Sequence, residues 1–173
     1  MKKDNLKSII VLTAICLVVS ALLAAINYVT KPIIEKNAFL KENASLAEVL
    51  PGAKDFEEAD IPSDAAECVT GIYKESGGAG YAVTISTTSA YSGAPMTFTL
   101  GVGTDGKVTG IVMTNYSETK DFGAEYPESY IGVDADSAED VDLVSGVTYS
   151  STAFRNAVKG ALDAAKLAEE AGK

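Results

Sequence analysis

The sequence contains no histidine. That single absence removes Ser-His-Asp and Cys-His catalysis, histidine-ligated zinc and histidine-ligated haem, because each needs an imidazole as base or ligand. Cysteine is scarce too: Cys16 and Cys68 are the whole supply, too few thiolates for an iron–sulfur cluster. Cys16 lies inside a long apolar run and Cys68 far outside it, so no bridge between them is expected. Cys68 reads instead as a small buried hydrophobe. Positive charge is short as well, with 14 Lys+Arg against 24 Asp+Glu and a net charge of −10. A chain this acidic excludes nucleic acid as a partner, since the phosphate backbone demands a basic surface.

Charge is missing altogether between Ser8 and Val29. As a helix this run reaches roughly 33 Å, enough to cross a hydrocarbon core of ~30 Å. Lys2, Lys3 and Lys7 precede it, while Tyr28 stands near the opposite interface and Pro32 follows. The basic side is expected to stay cytoplasmic, which leaves the C-terminal part extracytoplasmic. Three lysines against Asp4 give the first seven residues +2, so everything after them carries −12. The run is longer than the apolar region of a cleaved signal peptide, about 7–15 residues, and Thr13-Ala14-Ile15 is a poor lipoprotein recognition sequence before Cys16. A retained single-pass anchor is therefore expected. A pilin is disfavoured, because the apolar segment holds no acidic residue and no glycine cleavage site precedes it.

Lys31 to Leu50 reads as a helical stalk, with Phe39, Leu40, Leu46, Val49 and Leu50 apolar and Pro51-Gly52 as its stop. The acidic stretch Lys54–Glu67 reads as a loop or irregular cover. Beyond it come four runs rich in Val, Ile, Thr and Tyr: Cys68–Tyr73, Gly80–Thr87, Thr97–Val102 and Lys107–Thr114. Glycine-containing turns separate them, which predicts short strands. Asp105-Gly106 between the last two is a strong hairpin signal of the primed-turn kind. In Glu125 to Asp140, Tyr126, Tyr130 and Ile131 are packing candidates. The acidic residues Asp134, Asp136, Glu139, Asp140 and Asp142 lack the offsets of an EF-hand and read as a solvated face.

Near the C-terminus Asp142-Leu143-Val144-Ser145-Gly146-Val147-Thr148-Tyr149-Ser150-Ser151 runs into a helical pattern. Phe154, Ala157, Val158, Ala161, Leu162, Ala165 and Ala168 recur on one face. Ser150 or Ser151 is expected to cap that helix, since a hydroxyl there can accept from the free N–H groups of the first turn. Thr148 then sits just ahead of a helix N-terminus, where exposed N–H donors and the helix dipole favour an anion. Gly146, without a Cβ, lets the backbone come close to whatever binds. The chemistry fits a phosphate site beside an acceptor hydroxyl. By spacing alone, a serine-rich loop capping a C-terminal helix accounts for the same residues.

The segment resembles the flavinylation motif of the FMN-binding domain family: Asp, two variable residues, Ser or Thr, Gly, Ala, Thr. That family includes the G subunit of Rnf complexes and the C subunit of sodium-pumping NADH:quinone reductase. Asp142, Ser145, Gly146 and Thr148 match, and Val147 stands where alanine is usual. A second segment, Glu118-Thr119-Lys120-Asp121-Phe122-Gly123, is similar to the family's Glu-Thr-Pro-Gly-Leu-Gly loop, which lines the flavin. Glu118, Thr119 and Gly123 match; Phe122 replaces leucine, and Lys120-Asp121 replaces Pro-Gly. Together these resemblances cover about Gly80 to Ala165.

The resemblance implies FMN esterified through its phosphate to Thr148. Ser145 and the backbone around Gly146 and Val147 would steady that phosphate. Glu118 and Thr119 would face the polar edge or ribityl chain, Phe122 beside Gly123 would cover a ring face, and Asp142 would be recognised by a separate flavin transferase. With the N-terminal anchor, the chain is most similar to Rnf G-type members. The resemblance implies an α+β protein: a cytoplasmic tail (1–7), a transmembrane helix (8–29), a stalk and loop (30–67), and an FMN-binding domain (68–173) of mainly antiparallel sheet and flanking helices. The implied function is electron transfer within a membrane complex coupling ferredoxin:NAD+ electron flow to ion transport, with the other Rnf-type subunits, the flavin transferase and membrane lipid as partners. A stand-alone flavin carrier is the second expectation. A flavin-free anchored interaction module is the third, and predicts a colourless protein. A hydrolase using Thr148 or Ser145 is the weakest, because no histidine exists and no lysine lies within the motif to act as base.

Overall fold

The structure, a computed structural model, describes residues 11–23, 26–28, 30, 45–53, 55–117 and 122–171. The chain divides into two compact units, Met1–Glu42 and Asn43–Lys173. In the first, helix α1 (Val11–Tyr28) is long and apolar enough to cross a membrane. Its large side chains are exposed, Leu17 by 66%. Water disfavours such a surface and hydrocarbon does not. Most of the expected stalk lies outside the described residues, but 45–49 is helical.

The second unit is built on a five-stranded antiparallel sheet: β1 (Phe56–Ala59), β2 (Val69–Glu75), β3 (Gly80–Thr88), β4 (Pro95–Gly103) and β5 (Val108–Tyr116), in that spatial order. The four expected strands are β2 to β5. The first strand falls in the stretch expected to be irregular. Phe56 and Ala59 are half-buried while Glu57 and Glu58 face water, and the segment pairs with β2, Phe56 opposite Glu75 and Ala59 opposite Ile72. Two glutamates in four residues hide a strand from any propensity reading; pairing with β2 supplies what the local sequence does not.

The β4–β5 hairpin forms where Asp105-Gly106 indicated, but not as a primed two-residue turn. Among the described residues no non-glycine residue has positive φ, and Gly106 alone in this loop takes it, at 73°. Gly106 N–H donates to the Gly103 carbonyl at 3.0 Å, and Gly103 N–H to the Lys107 carbonyl at 2.9 Å. This is a three-residue loop with glycine in the left-handed position.

One face of the sheet is covered by helix α3 (Thr148–Ala171). Its predicted stripe is buried, with Phe154, Val158 and Ala161 fully enclosed among Val83, Ile85, Phe98 and Leu100. Two short pieces, α2 (Glu125–Glu128) and a 3-10 turn (Ala138–Asp140), close the side of this core, with Tyr126 and Tyr130 buried in it.

The opposite face receives residues 45–50: Leu46, Val49 and Leu50 pack against Ala82. The close approach depends on a glycine pair, Gly101 opposite Gly110 across β4 and β5. A Cβ at Gly101 would overlap the Val49 carbonyl, and one at Gly110 would lie 3.1 Å from Val49 Cα. Thr109 Oγ1 donates to that same carbonyl. Gly101→Ala is accordingly expected to destabilise this unit by about 1–3 kcal/mol, the usual cost of overfilling a packed site. Denaturant unfolding of the full chain in detergent followed by circular dichroism measures it; an unchanged midpoint would show that 45–50 does not sit against the sheet.

Candidate functional site

The turn 142–147 leads directly into α3. Gly146 has φ of 81°, a conformation that costs other residues roughly 1–2 kcal/mol. Val147 N–H donates to the Val144 carbonyl at 3.2 Å, closing the turn. The Val147 side chain points into the main core and is 7% exposed, so its methyl groups are taken up there.

Helix α3 begins at Thr148, and its first bond runs from Ser151 N–H to the Val147 carbonyl at 2.9 Å. The N-cap position therefore belongs to Val147, which corrects the expectation of a cap at Ser150 or Ser151. Both serines are inside the helix and buried, at 4% and 0% exposure. The Ser151 hydroxyl donates backward to the carbonyls of Val147 (3.0 Å) and Thr148 (3.2 Å), the usual alternative for a serine within a helix. This first turn holds no acidic residue. Its backbone N–H groups are the unsatisfied donors of a helix start. A phosphate there would meet those donors and the positive end of the dipole, with no carboxylate in the turn to oppose it.

Exposure separates the hydroxyls. Ser145, Thr148 and Tyr149 are exposed, as are Gly146 and Asp142. Thr148 also opens onto a cavity of about 580 Å³ between α3 and the ends of β2 and β3. Thr148, Thr152 and Asn156, spaced by four, line the helix wall; Cys68, Thr87 and Thr88 line the other. Cys68 is half-buried, not enclosed as expected, and burial pushes its thiol pKa up while a backbone hydrogen bond pulls it down. Cys16 and Cys68 are both free thiols.

The second expected site segment is only partly visible. Glu118 and Thr119, with Lys120 and Asp121, lie outside the described residues. Phe122 is 7% exposed. Its ring packs edge-on to Tyr116 (4.9 Å) and Tyr126 (5.2 Å) and tilted against Phe154 (5.2 Å). Phe122 and exposed Gly123 border a smaller cavity of about 190 Å³. The aromatic cluster links this segment to the start of α3: Tyr126 Oη lies 2.9 Å from Tyr130 Oη and donates to the Ser151 carbonyl at 3.2 Å. Burial raises the pKa of both phenols, so both stay protonated as hydrogen-bond donors.

The acidic stretch that follows is tied up structurally. Asp134 Oδ1 accepts from Ser137 N–H (3.0 Å) and Oγ (2.6 Å), bonds that hold its carboxyl below the usual carboxylate range. Glu139 pairs with Lys159. Among the described residues no group of three or more His, Cys, Asp or Glu is arranged to hold a metal ion.

Sequence reasoning missed the groove residues Cys68, Thr87, Thr88, Thr152 and Asn156 as parts of a site. Thr152 and Asn156 could have been found from their four-residue spacing after Thr148 on an expected helix. Nothing local marks the others, which reach the groove only through sheet pairing.

Residues 91–163 match the FMN-binding domain, and residues 1–49 match the RnfG N-terminal region. The chain is 30% identical over 168 residues to the G subunit of the Na(+)-translocating ferredoxin:NAD(+) oxidoreductase complex of Acetobacterium woodii, an alignment covering 87% of this chain and 80% of that protein. With both the amino-terminal region and the FMN-binding domain present in one chain, and a relative matched along most of its length, this protein belongs to the RnfG family.

Proposed function

We propose that this chain is an electron-transfer subunit of an Rnf-type membrane complex, carrying FMN bound through its phosphate to Thr148 Oγ1. The observation that carries the attachment is the exposed Thr148 hydroxyl at a helix N-terminus, opening onto a groove large enough for a cofactor. Formation of the ester joins the FMN phosphate to Thr148 Oγ1 with overall loss of water, and a flavin transferase would perform it. The bound isoalloxazine supplies one- or two-electron chemistry; the protein supplies position and surroundings.

The chain's own residues have defined parts in this reading. Gly146 brings backbone N–H groups to the phosphate, and Ser145 offers a hydroxyl beside it. Asp142, exposed ahead of the turn, is available to the transferase. Glu118 and Thr119 would meet the polar edge or ribityl chain of the flavin, and Phe122, fixed in the aromatic cluster, would stand by a ring face. Helix α1 anchors the chain in lipid, with the basic tail cytoplasmic and the FMN-binding domain outside. A covalent tether keeps the cofactor on that outer face, where a dissociated flavin would be lost. The match of residues 1–49 to the RnfG N-terminal region favours a complex subunit over a stand-alone carrier.

The test is coexpression with a flavin transferase, followed by intact mass and peptide mapping. A gain of one FMN less water, mapped to the peptide containing Thr148, is expected. An unmodified chain, while the same transferase labels a known substrate in the same cells, would sink the covalent assignment.

A further inference from the structure

We infer that Ser151 is a positioning residue for flavin attachment: its buried hydroxyl aims the backbone N–H groups of Thr148 and Tyr149 at the phosphate. This deepens the proposed function and rests on FMN being attached at Thr148. The peptide planes at the start of a helix are held on one side only, because their N–H groups have no partner within the helix. The Val147 carbonyl shares a plane with the Thr148 N–H, and the Thr148 carbonyl shares one with the Tyr149 N–H. Within a trans peptide plane the two groups point in opposite directions. Fixing those two carbonyls therefore fixes the direction of the two donors.

Ser151 is the residue that fixes both. Its hydroxyl is shared between the Val147 carbonyl at 3.0 Å and the Thr148 carbonyl at 3.2 Å. Its N–H also donates to the Val147 carbonyl, at 2.9 Å. Ser151 is itself held firmly. It has no exposed surface, and its own carbonyl accepts from Tyr126 Oη at 3.2 Å. The Tyr126 ring packs in turn against Phe122 and Phe154. On the other side, the Val147 side chain belongs to the main core. The first turn of α3 is thus tied to the core directly at Val147, and through Ser151 to Tyr126.

Because Ser151 is enclosed, a transferase cannot touch it in the folded chain. A part in positioning therefore shows in kcat, whereas a part in recognition shows in KM. The test measures attachment to the full chain in detergent by in-gel fluorescence, varying chain concentration against a fixed amount of transferase and its flavin donor. Ser151→Ala is expected to lower kcat about tenfold, short of the roughly hundredfold cost of a 1 Å misplacement. KM should stay within about twofold. The unfolding midpoint should hold, since alanine is the best helix former and the backbone bond onto the Val147 carbonyl remains.

Ser151→Thr keeps a hydroxyl able to bond the same carbonyls and is expected to restore kcat. It decides the matter if Ser151→Ala loses stability. An unchanged kcat in Ser151→Ala, a change in KM alone, or a folded Ser151→Thr as slow as the alanine variant would overturn the part given to Ser151 and leave the attachment standing. A wild-type chain that takes up no FMN would overturn the attachment and this inference with it.

Discussion

Thr148→Ala is expected to give a folded, colourless chain with no covalent flavin, even beside an active transferase. The effect should be all-or-none, because the neighbouring serines cannot substitute. Ser150 and Ser151 are buried, and the Ser151 hydroxyl is engaged with the backbone carbonyls of Val147 and Thr148. Ser145 is exposed but stands in the turn ahead of the helix, three residues before the attachment position, where its part is to steady the phosphate. The fold should not notice the change. Thr148 is exposed at the first helical position, alanine is the best helix former, and surface substitutions of this kind stay within about 0.5 kcal/mol. In-gel fluorescence and intact mass read the loss, and circular dichroism confirms the fold. Ser145→Ala should keep the label. Flavin persisting on Thr148→Ala would move the attachment site elsewhere.

Phe154→Ala is the substitution expected to cost most stability, about 3–5 kcal/mol. Phe154 is fully buried and its ring meets four others, Phe98 at 4.6 Å, Phe122 at 5.2 Å, Tyr130 at 5.5 Å and Tyr126 at 5.6 Å. Truncation leaves a cavity and removes ring–ring contacts that add to plain burial. Against a typical total of about 5–15 kcal/mol, such a loss leaves many domains only marginally folded. Denaturant unfolding of the full chain in detergent measures it, and a change under about 1 kcal/mol would contradict the packing. The effect reaches the candidate site as well. Phe122 and Tyr126 lean on this ring, and Tyr126 Oη holds the Ser151 carbonyl in the first turn of α3. A conservative Phe154→Leu, which retains most of the buried volume, should recover most of the stability and keep flavin attachment.

Much of the architecture was legible because it is written in local periodicity. The stripe Phe154, Ala157, Val158, Ala161 and Leu162 could only be a one-sided helix, and alternation with glycine turns marked β2 to β5. The misses have physical causes. Strand β1 is half glutamate and exists through its pairing with β2. Asp105 could not declare whether its loop would have two or three residues, since that depends on the register between β4 and β5. Ser150 and Ser151 looked like caps because serine is a good cap. Their true role follows from Val147 being drawn into the core, which starts the helix earlier.

What the sequence determined by itself is whatever depends on neighbours along the chain: an apolar run long enough for a bilayer, the phase of α3, and the order Asp142, Ser145, Gly146, Thr148. The tertiary structure decided everything that depends on distant partners. It left the Thr148 hydroxyl exposed at a helix start, buried Ser150 and Ser151 beside it, and turned Phe122 into the aromatic core. It also carried Cys68, Thr87 and Thr88 to the wall facing Asn156. The reason is that solvent exposure and shared cavities are set by which surfaces pack together. Residues some 60 to 90 positions apart meet only after the sheet has formed and α3 has covered it.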